Sequence, residues 1–191
     1  MAETPDDILI ARAQRGDAGA ISILYQRYVQ AIARYIGYRV PDGQIVEDLT
    51  SEVFLRVVES LPAYRVTGAP FEAWLYRIAA ARVADYYRRH RRAALEPLDD
   101  LHADGALLPE QTVQQDETFQ ELRAALQQLS DEQQTILILR FVERMSHEEV
   151  ALIVNKSVEA TATAQHRALK RLASLLGIRK TGRYYLRGTS E

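Results

Sequence analysis

The chain has 191 residues, 47% of them hydrophobic, with 24 basic against 26 acidic side chains and a formal net charge of −2. It holds no cysteine and opens on the acidic stretch Met1-Ala2-Glu3-Thr4-Pro5-Asp6-Asp7. Disulfides and thiolate metal sites are therefore excluded; with no apolar run long enough to span a membrane and no basic-then-apolar start, neither a membrane span nor a signal peptide is expected, and a cytoplasmic protein is expected. The charge is uneven: residues 1–95 carry thirteen basic against eleven acidic side chains, 96–121 none against eight, and 122–191 eleven against seven, so an acidic middle masks two mildly basic flanks.

In chain order, Thr4-Pro5-Asp6-Asp7 predicts a helix start, with Thr4 as cap, Pro5 in the first turn and the two acids at the positive end of the dipole. Asp17 caps a second helix reaching about Gly37, with Ile21, Leu24, Tyr25, Tyr28, Ile32 and Tyr35 at helical spacing. Pro41-Asp42-Gly43 breaks it. A third helix places Val46, Leu49, Val53, Phe54, Val57 and Leu61 on one stripe and stops at Pro62. Gly68 and Pro70 punctuate a loop over 63–70. Phe71 then opens a long helix with Trp74, Leu75, Ile78, Ala79 and Tyr86 on its apolar face.

From about Ala94 to Asp116 helical periodicity fails and the composition is that of an acidic linker. A second helical unit starts near Thr118 with Leu122, Leu126 and Leu129. Ser130-Asp131-Glu132-Gln133 and Ser146-His147-Glu148-Glu149 both have the capping-box form. No segment alternates as a strand does. The fold class expected is all-α: two small helical domains, 1–94 and 118–178, joined by an acidic linker at 95–117 and followed by a basic and aromatic tail at 179–191.

Residues 146–176 read as a helix-turn-helix. A short helix leads to Val154-Asn155-Lys156, where asparagine tolerates a left-handed turn, and a longer helix follows. Val158, Thr161, Gln165, Leu169, Leu172 and Leu176 face inward; Thr163, His166, Arg167, Lys170 and Arg171 occupy other faces. That arrangement suits a helix laid in the major groove; the alternative is an ordinary helix pair with a solvated basic face. In 71–92, Trp74, Tyr76, Tyr86 and Tyr87 are interleaved with Arg77, Arg82, Arg88, Arg89, Arg91 and Arg92. Arginines neutralise phosphates and aromatic faces stack unpaired bases; the alternative is a buried Trp74 and Tyr86 beside a solvated arginine run.

Three boxes in this order resemble the group IV, or extracytoplasmic-function, sigma factors of bacterial RNA polymerase. They are Glu47-Asp48-Leu49-Thr50-Ser51-Glu52-Val53-Phe54-Leu55-Arg56-Val57; Phe71-Glu72-Ala73-Trp74-Leu75-Tyr76-Arg77-Ile78-Ala79 with Asp85-Tyr86-Tyr87-Arg88-Arg89; and 129–141 with Ser146-His147-Glu148-Glu149-Val150-Ala151. The resemblance runs over roughly residues 6–176.

The resemblance implies a promoter-specificity subunit. It implies docking on the clamp helices of the largest polymerase subunit through Glu47, Asp48, Leu49, Glu52, Val53, Leu55 and Arg56. Minus-ten recognition and melting fall to Tyr64, Arg65, Thr67, Trp74, Tyr76, Arg77, Arg82, Arg88 and Arg89, with 64–70 as the loop that holds extruded bases. Minus-thirty-five contact falls to Lys156, Ser157, Glu159, Ala162, Thr163, His166, Arg167 and Lys170. Implied partners are core polymerase (beta-prime clamp and beta subunits), duplex and melted promoter DNA, and an anti-sigma factor. Two positions depart from the family pattern: Ala81 stands where asparagine is frequent, and Ala162 where lysine or arginine is usual, which removes guanine readout by a long basic side chain there.

No Walker-type glycine loop or carboxylate cluster suggests chemistry, so neither an enzyme nor a cofactor or metal is expected. Two rival classes are a stand-alone helix-turn-helix regulator, which has no need of the 47–57 surface, and a protein-interaction adaptor.

Overall fold

The computed structural model describes residues 4–66, 68–93 and 117–178, and among these the regular structure is helical. Thr67, nearly all of the 95–117 linker and the 179–191 tail lie outside the described residues. Helix α1 (Asp6–Ala13) turns through Gly16, whose φ of +86° favours glycine, into α2 (Ala18–Arg39). Then come α3 (Gly43–Ser60), a short 3-10 turn over Leu61–Ala63, and α4 (Phe71–Ala93). The remaining helices are α5 (Glu117–Gln127), α6 (Asp131–Leu137), α7 (His147–Val154) and α8 (Val158–Leu175).

The anticipated caps mostly form. The Asp17 carboxylate accepts from the Ala20 amide at 3.1 Å; Asp42, read from the sequence only as part of the break after α2, also caps α3, accepting from Gln44 and Ile45 at 2.8 and 3.2 Å. At α1 the expectation fails: Pro5 itself occupies the cap position without a side-chain bond, and the Thr4 carbonyl accepts from Arg27 of α2 instead. Both capping boxes are complete. In the second, Ser146 Oγ accepts from Glu149 N at 3.1 Å while the Glu149 carboxylate accepts from Ser146 N at 2.7 Å. Replacing Ser146 with alanine removes half of that box. Urea unfolding of the full chain should show a loss of about 1 kcal/mol with an unchanged denaturant slope.

One element was not legible. The apolar run after α6 continues as a π-helical turn over Ile138–Val142, ending at Arg144 with φ of 57°. Ile138 and Leu139 are buried there, while Phe141 is 56% exposed.

Helices α1 to α4 pack in succession, and α2 also lies against α4. In the second half α6 and α7 both pack on α8. The halves meet. Helix α7 lies along α4, α5 touches α2, and one cluster of buried side chains runs from Leu9, Ile32, Tyr35, Val53, Leu75 and Tyr76 to Ile136, Ile138, Leu139, Val150 and Ile153. A second, smaller cluster joins Leu126, Leu129 and Leu137 to Ala168 of α8.

Arg39 sits at this junction with no exposed surface. Its guanidinium donates to Gln134 Oε1 at 3.2 Å, to the Tyr35 hydroxyl at 3.1 Å and to Thr135 Oγ1 at 3.4 Å, and it pairs with the Asp131 carboxylate. A buried cation needs such a set of acceptors, because leaving it unpaired costs several kcal/mol.

Candidate polymerase and nucleic-acid interfaces

Helix α3 presents its outer face to solvent. Glu47, Asp48, Ser51, Leu55, Arg56, Val58 and Glu59 are exposed and Glu52 is half-buried. Leu55 and Val58 are 62% and 43% exposed, three residues apart on the helix, so they form an apolar strip set in an acidic surround. Leu49 and Val53, named above as docking residues, are 2% and 0% exposed. They belong to the core beneath this face and cannot touch a partner in this conformation. Val58 escaped the sequence reading, although its spacing from Leu55 is the signal that would have found it.

The start of the 64–70 loop is anchored from two sides. Gln14, at the C-cap of α1, donates its side-chain amide to the Leu61 and Tyr64 carbonyls at 3.0 and 2.8 Å. The Tyr64 ring lies 4.5 Å from that of Trp74 and 5.5 Å, edge-on, from that of Phe71. Partial burial raises the Tyr64 phenol above its ordinary pKa, so it remains a neutral hydrogen-bonding group at physiological pH. Gln14 carries no sequence signal for this role, since it reaches the loop across 47 to 50 residues. Trp74 is half-buried, Arg65 and Arg77 are exposed, and Gly68, at φ +81°, shapes the turn.

Tyr76 does not join this surface. It is fully buried, its ring edge-on to Tyr35 at 5.4 Å, with the carboxylates of Glu143 and Glu72 beside its phenol. Burial and then those carboxylates push its pKa well above the ordinary tyrosine value. Its assignment to base contact is therefore corrected: the second half of the chain covers the face of α4 on which it lies.

Farther along α4, Arg82, Arg88, Arg89 and Arg92 line an open cleft of about 330 Å3 together with Asp85, which pairs with Arg88. Arg82 Nε is buried without a hydrogen-bond partner among the described residues. The cleft is a concentration of positive charge on one helical surface, suited to a phosphate backbone.

On α8 the sequence-predicted residues come together. Ser157 caps the helix, accepting from Ala160 N at 3.1 Å; Glu159, Ala162, Thr163, His166, Arg167 and Lys170 are all exposed, while Thr161 and Ala168 are buried on the opposite side. Ala168 replaces Leu169 and Leu172 as the tightest contact, since those two leucines are only partly buried. The turn before α8 has Asn155 in the left-handed conformation, φ 55° and ψ 52°, as its residue type suggests. Lys156 pairs with Glu132 at 3.2 Å. Glu159 sits in the first turn, where hydrogen bonds from its own amide and from Ser157 hold its carboxyl below the ordinary value.

A cavity of about 470 Å3 lies between the 64–70 loop and the turn that precedes α8. Gly68, Ala69 and Arg77 line one side, and Ala151, Leu152, Asn155 and Lys156 the other. Close by, Glu72 is half-buried between the halves of the chain. Burial first, then the negative charges of Glu143, Glu149 and Asp6, raise its pKa, and only the neighbouring Tyr76 phenol opposes them. A raised carboxyl binds its proton more tightly in the folded than in the unfolded chain. Its contribution to stability is therefore full below the unfolded value and is lost as pH rises through the folded one. Glu72→Gln should raise the melting temperature at neutral pH, with the gain vanishing as the pH falls toward 4.5, the unperturbed value. Calorimetry across that range checks both the sign and the convergence.

Two family models match: Sigma-70 region 2 over residues 24–93 and Sigma-70, region 4 over residues 119–172. The chain is 37% identical over 170 residues to the ECF RNA polymerase sigma factor BldN of Streptomyces coelicolor, covering 88% of this chain and 64% of that protein, just under two thirds of its length. It is 36% identical over 174 residues to the ECF RNA polymerase sigma factor SigD of Mycobacterium tuberculosis, covering 87% of this chain and 81% of that one. Among solved structures, CnrH in complex with the cytosolic domain of CnrY aligns with a TM-score of 0.67 and 25% identity over 90% of this chain and 97% of that one.

Proposed function

Because this chain belongs to the extracytoplasmic-function family of RNA polymerase sigma factors, we propose that it binds bacterial core polymerase and directs it to promoters through two DNA grips. The observation that carries the reading is the display of three separate surfaces on one helical framework: the α3 strip around Leu55, the Tyr64–Trp74 and arginine surface of α4, and the exposed face of α8.

Each surface has a physical task. The α3 strip offers Leu55 and Val58 as apolar contacts and Asp48 and Glu52 as charges that fix register, which suits a stable protein interface. The α4 cleft neutralises phosphates, and the Tyr64–Trp74 pair offers aromatic faces to unstacked bases. With Ala162 at its front, α8 reads the groove through thymine methyls and DNA shape, while Lys156, Arg167 and Lys170 hold phosphates. Docking on polymerase makes the second DNA contact intramolecular, so modest affinity at each element suffices. Strand opening then draws on binding energy. A regulator that holds the factor inactive completes the proposal; it is supported by CnrH, whose solved structure includes the cytosolic domain of CnrY.

Run-off transcription with core polymerase, the purified chain and a library of promoter-length duplexes tests this. Enrichment of templates sharing two spaced elements is the expected result. Failure to bind core polymerase at any salt concentration overturns it.

A further inference from the structure

The buried side of α8 is fixed by Thr161 and Ala168, neither of which has any exposed surface. A helix turns by about 100° per residue, so these two lie about 200° and 180° round the axis from Glu159. Glu159 therefore stands at the middle of the exposed face. Thr163, His166 and Lys170 fall within about 40° of it by the same period, and all three are exposed.

The first eight residues of α8, Val158 to Gln165, hold one charged side chain, and it is Glu159. Cations flank it: Lys156 stands before the helix, and Arg167 and Lys170 stand two and three turns on. Those cations suit phosphates, whereas a carboxylate is repelled by them. With the flanking cations on the backbone, Glu159 projects between the strands into the groove. The N-terminal residues of the second helix are also the ones that reach base edges in a helix-turn-helix.

Hydrogen bonds from its own amide and from Ser157 keep Glu159 ionised, and no side-chain cation engages it. It enters the groove as an acceptor without a proton to give. Such a group loses water on entry and must find a donor there. Guanine presents only N7 and O6 acceptors, and thymine an O4 acceptor and a methyl group. Adenine offers its N6 amino group beside the repelling N7, while cytosine offers its N4 amino group without a neighbouring acceptor on the same base.

We propose that Glu159 sets a base preference: α8 selects cytosine at one position of its element, the N4 amino group donating to the Glu159 carboxylate. The inference rests on the reading of α8 as a DNA-contacting helix in the proposed function, and goes beyond it by naming a base and the side chain that chooses it.

A randomised duplex pool selected twice, once by the full chain alone and once by the chain with bacterial core polymerase, tests this. One position of the enriched sequences should favour cytosine over guanine or thymine by about tenfold, inside the range for one good side-chain contact to a base edge. Glu159→Gln should move the preference at that position to adenine, because an amide pairs with both N6 and N7 of adenine. Glu159→Ala should flatten the same position. Both variants should leave the other positions as they were. A role for Glu159 confined to the helix end would change the melting temperature of these variants and not their base profile, so an unaltered profile overturns the inference. Enrichment without a cytosine position, or no enrichment by either form, overturns it as well. If the chain alone yields the cytosine position but never binds core polymerase, the proposed function falls and the base preference stands. If the polymerase complex enriches two spaced elements that Glu159→Gln leaves unchanged, the base preference falls and the proposed function stands.

Discussion

Reversing both charges in Asp48→Lys/Glu52→Lys, or introducing Leu55→Asp alone, should lower affinity for core polymerase by a factor of about 30 or more, the loss typical of a residue at the centre of an interface. Leu55 is the most exposed apolar side chain of α3, and it sits between the acidic pair and Val58. A carboxylate there would have to be desolvated against an apolar partner, which costs more than the truncation of a methyl group. None of the three side chains is part of the core, so thermal unfolding and far-ultraviolet circular dichroism should be unaffected. Binding of the full chain to a duplex should also be preserved, because α8 is untouched. Competition binding against labelled core polymerase reads the effect. Undiminished affinity in both variants would place the docking surface elsewhere.

Ile136→Ala should destabilise the whole chain by about 2–5 kcal/mol, the range for emptying a fully buried aliphatic site. Ile136 has no exposed surface and belongs to the cluster that also contains Tyr35, Leu75 and Tyr76. A core shared between the two halves predicts one cooperative transition in calorimetry, with matching calorimetric and van't Hoff enthalpies, shifted as a unit by the substitution. Two transitions, of which only one moves, would mean that the halves melt independently and that their contact contributes little.

These two experiments probe different levels of what the sequence discloses. The exposed apolar strip of α3 is local. Leu55 and Val58 stand out because their neighbours Leu49, Val53 and Val57 satisfy the inward stripe of the same helix, and the outward residues follow from the 3.6-residue period. The assignment of Leu49 and Val53 to the interface came from treating a contiguous box as a surface, when a helix can show only one side of such a box. The shared core is not local. Nothing in the spacing of Ile136 says that its neighbours include residues from α2 and α4, about a hundred and about sixty positions earlier.

The same distinction explains α4. Its apolar stripe was read from Phe71, Trp74, Leu75, Ile78 and Ala79, yet Ala73, Tyr76 and Val83 are also buried. A helix covered on one side leaves a polar face, whereas α4 is covered by α2 and α3 and again by α7. A wider arc is therefore buried than one stripe accounts for. Helix α8 shows the opposite case: its exposed residues and the left-handed Asn155 turn follow from residue type and period, and the structure brings them together as expected.

By itself the sequence determined the helices, most of their caps, the left-handed turn before α8 and the order of the three boxes that mark the family. Each of these rests on interactions within a few residues, where periodicity and capping chemistry act. Tertiary structure alone decided that Tyr76 is buried and that Arg39 and Arg34 tie the two halves together. Those outcomes depend on which face of one helix meets another far away in sequence. A buried charge has the same one-letter code as a solvated one, and only its partners distinguish them.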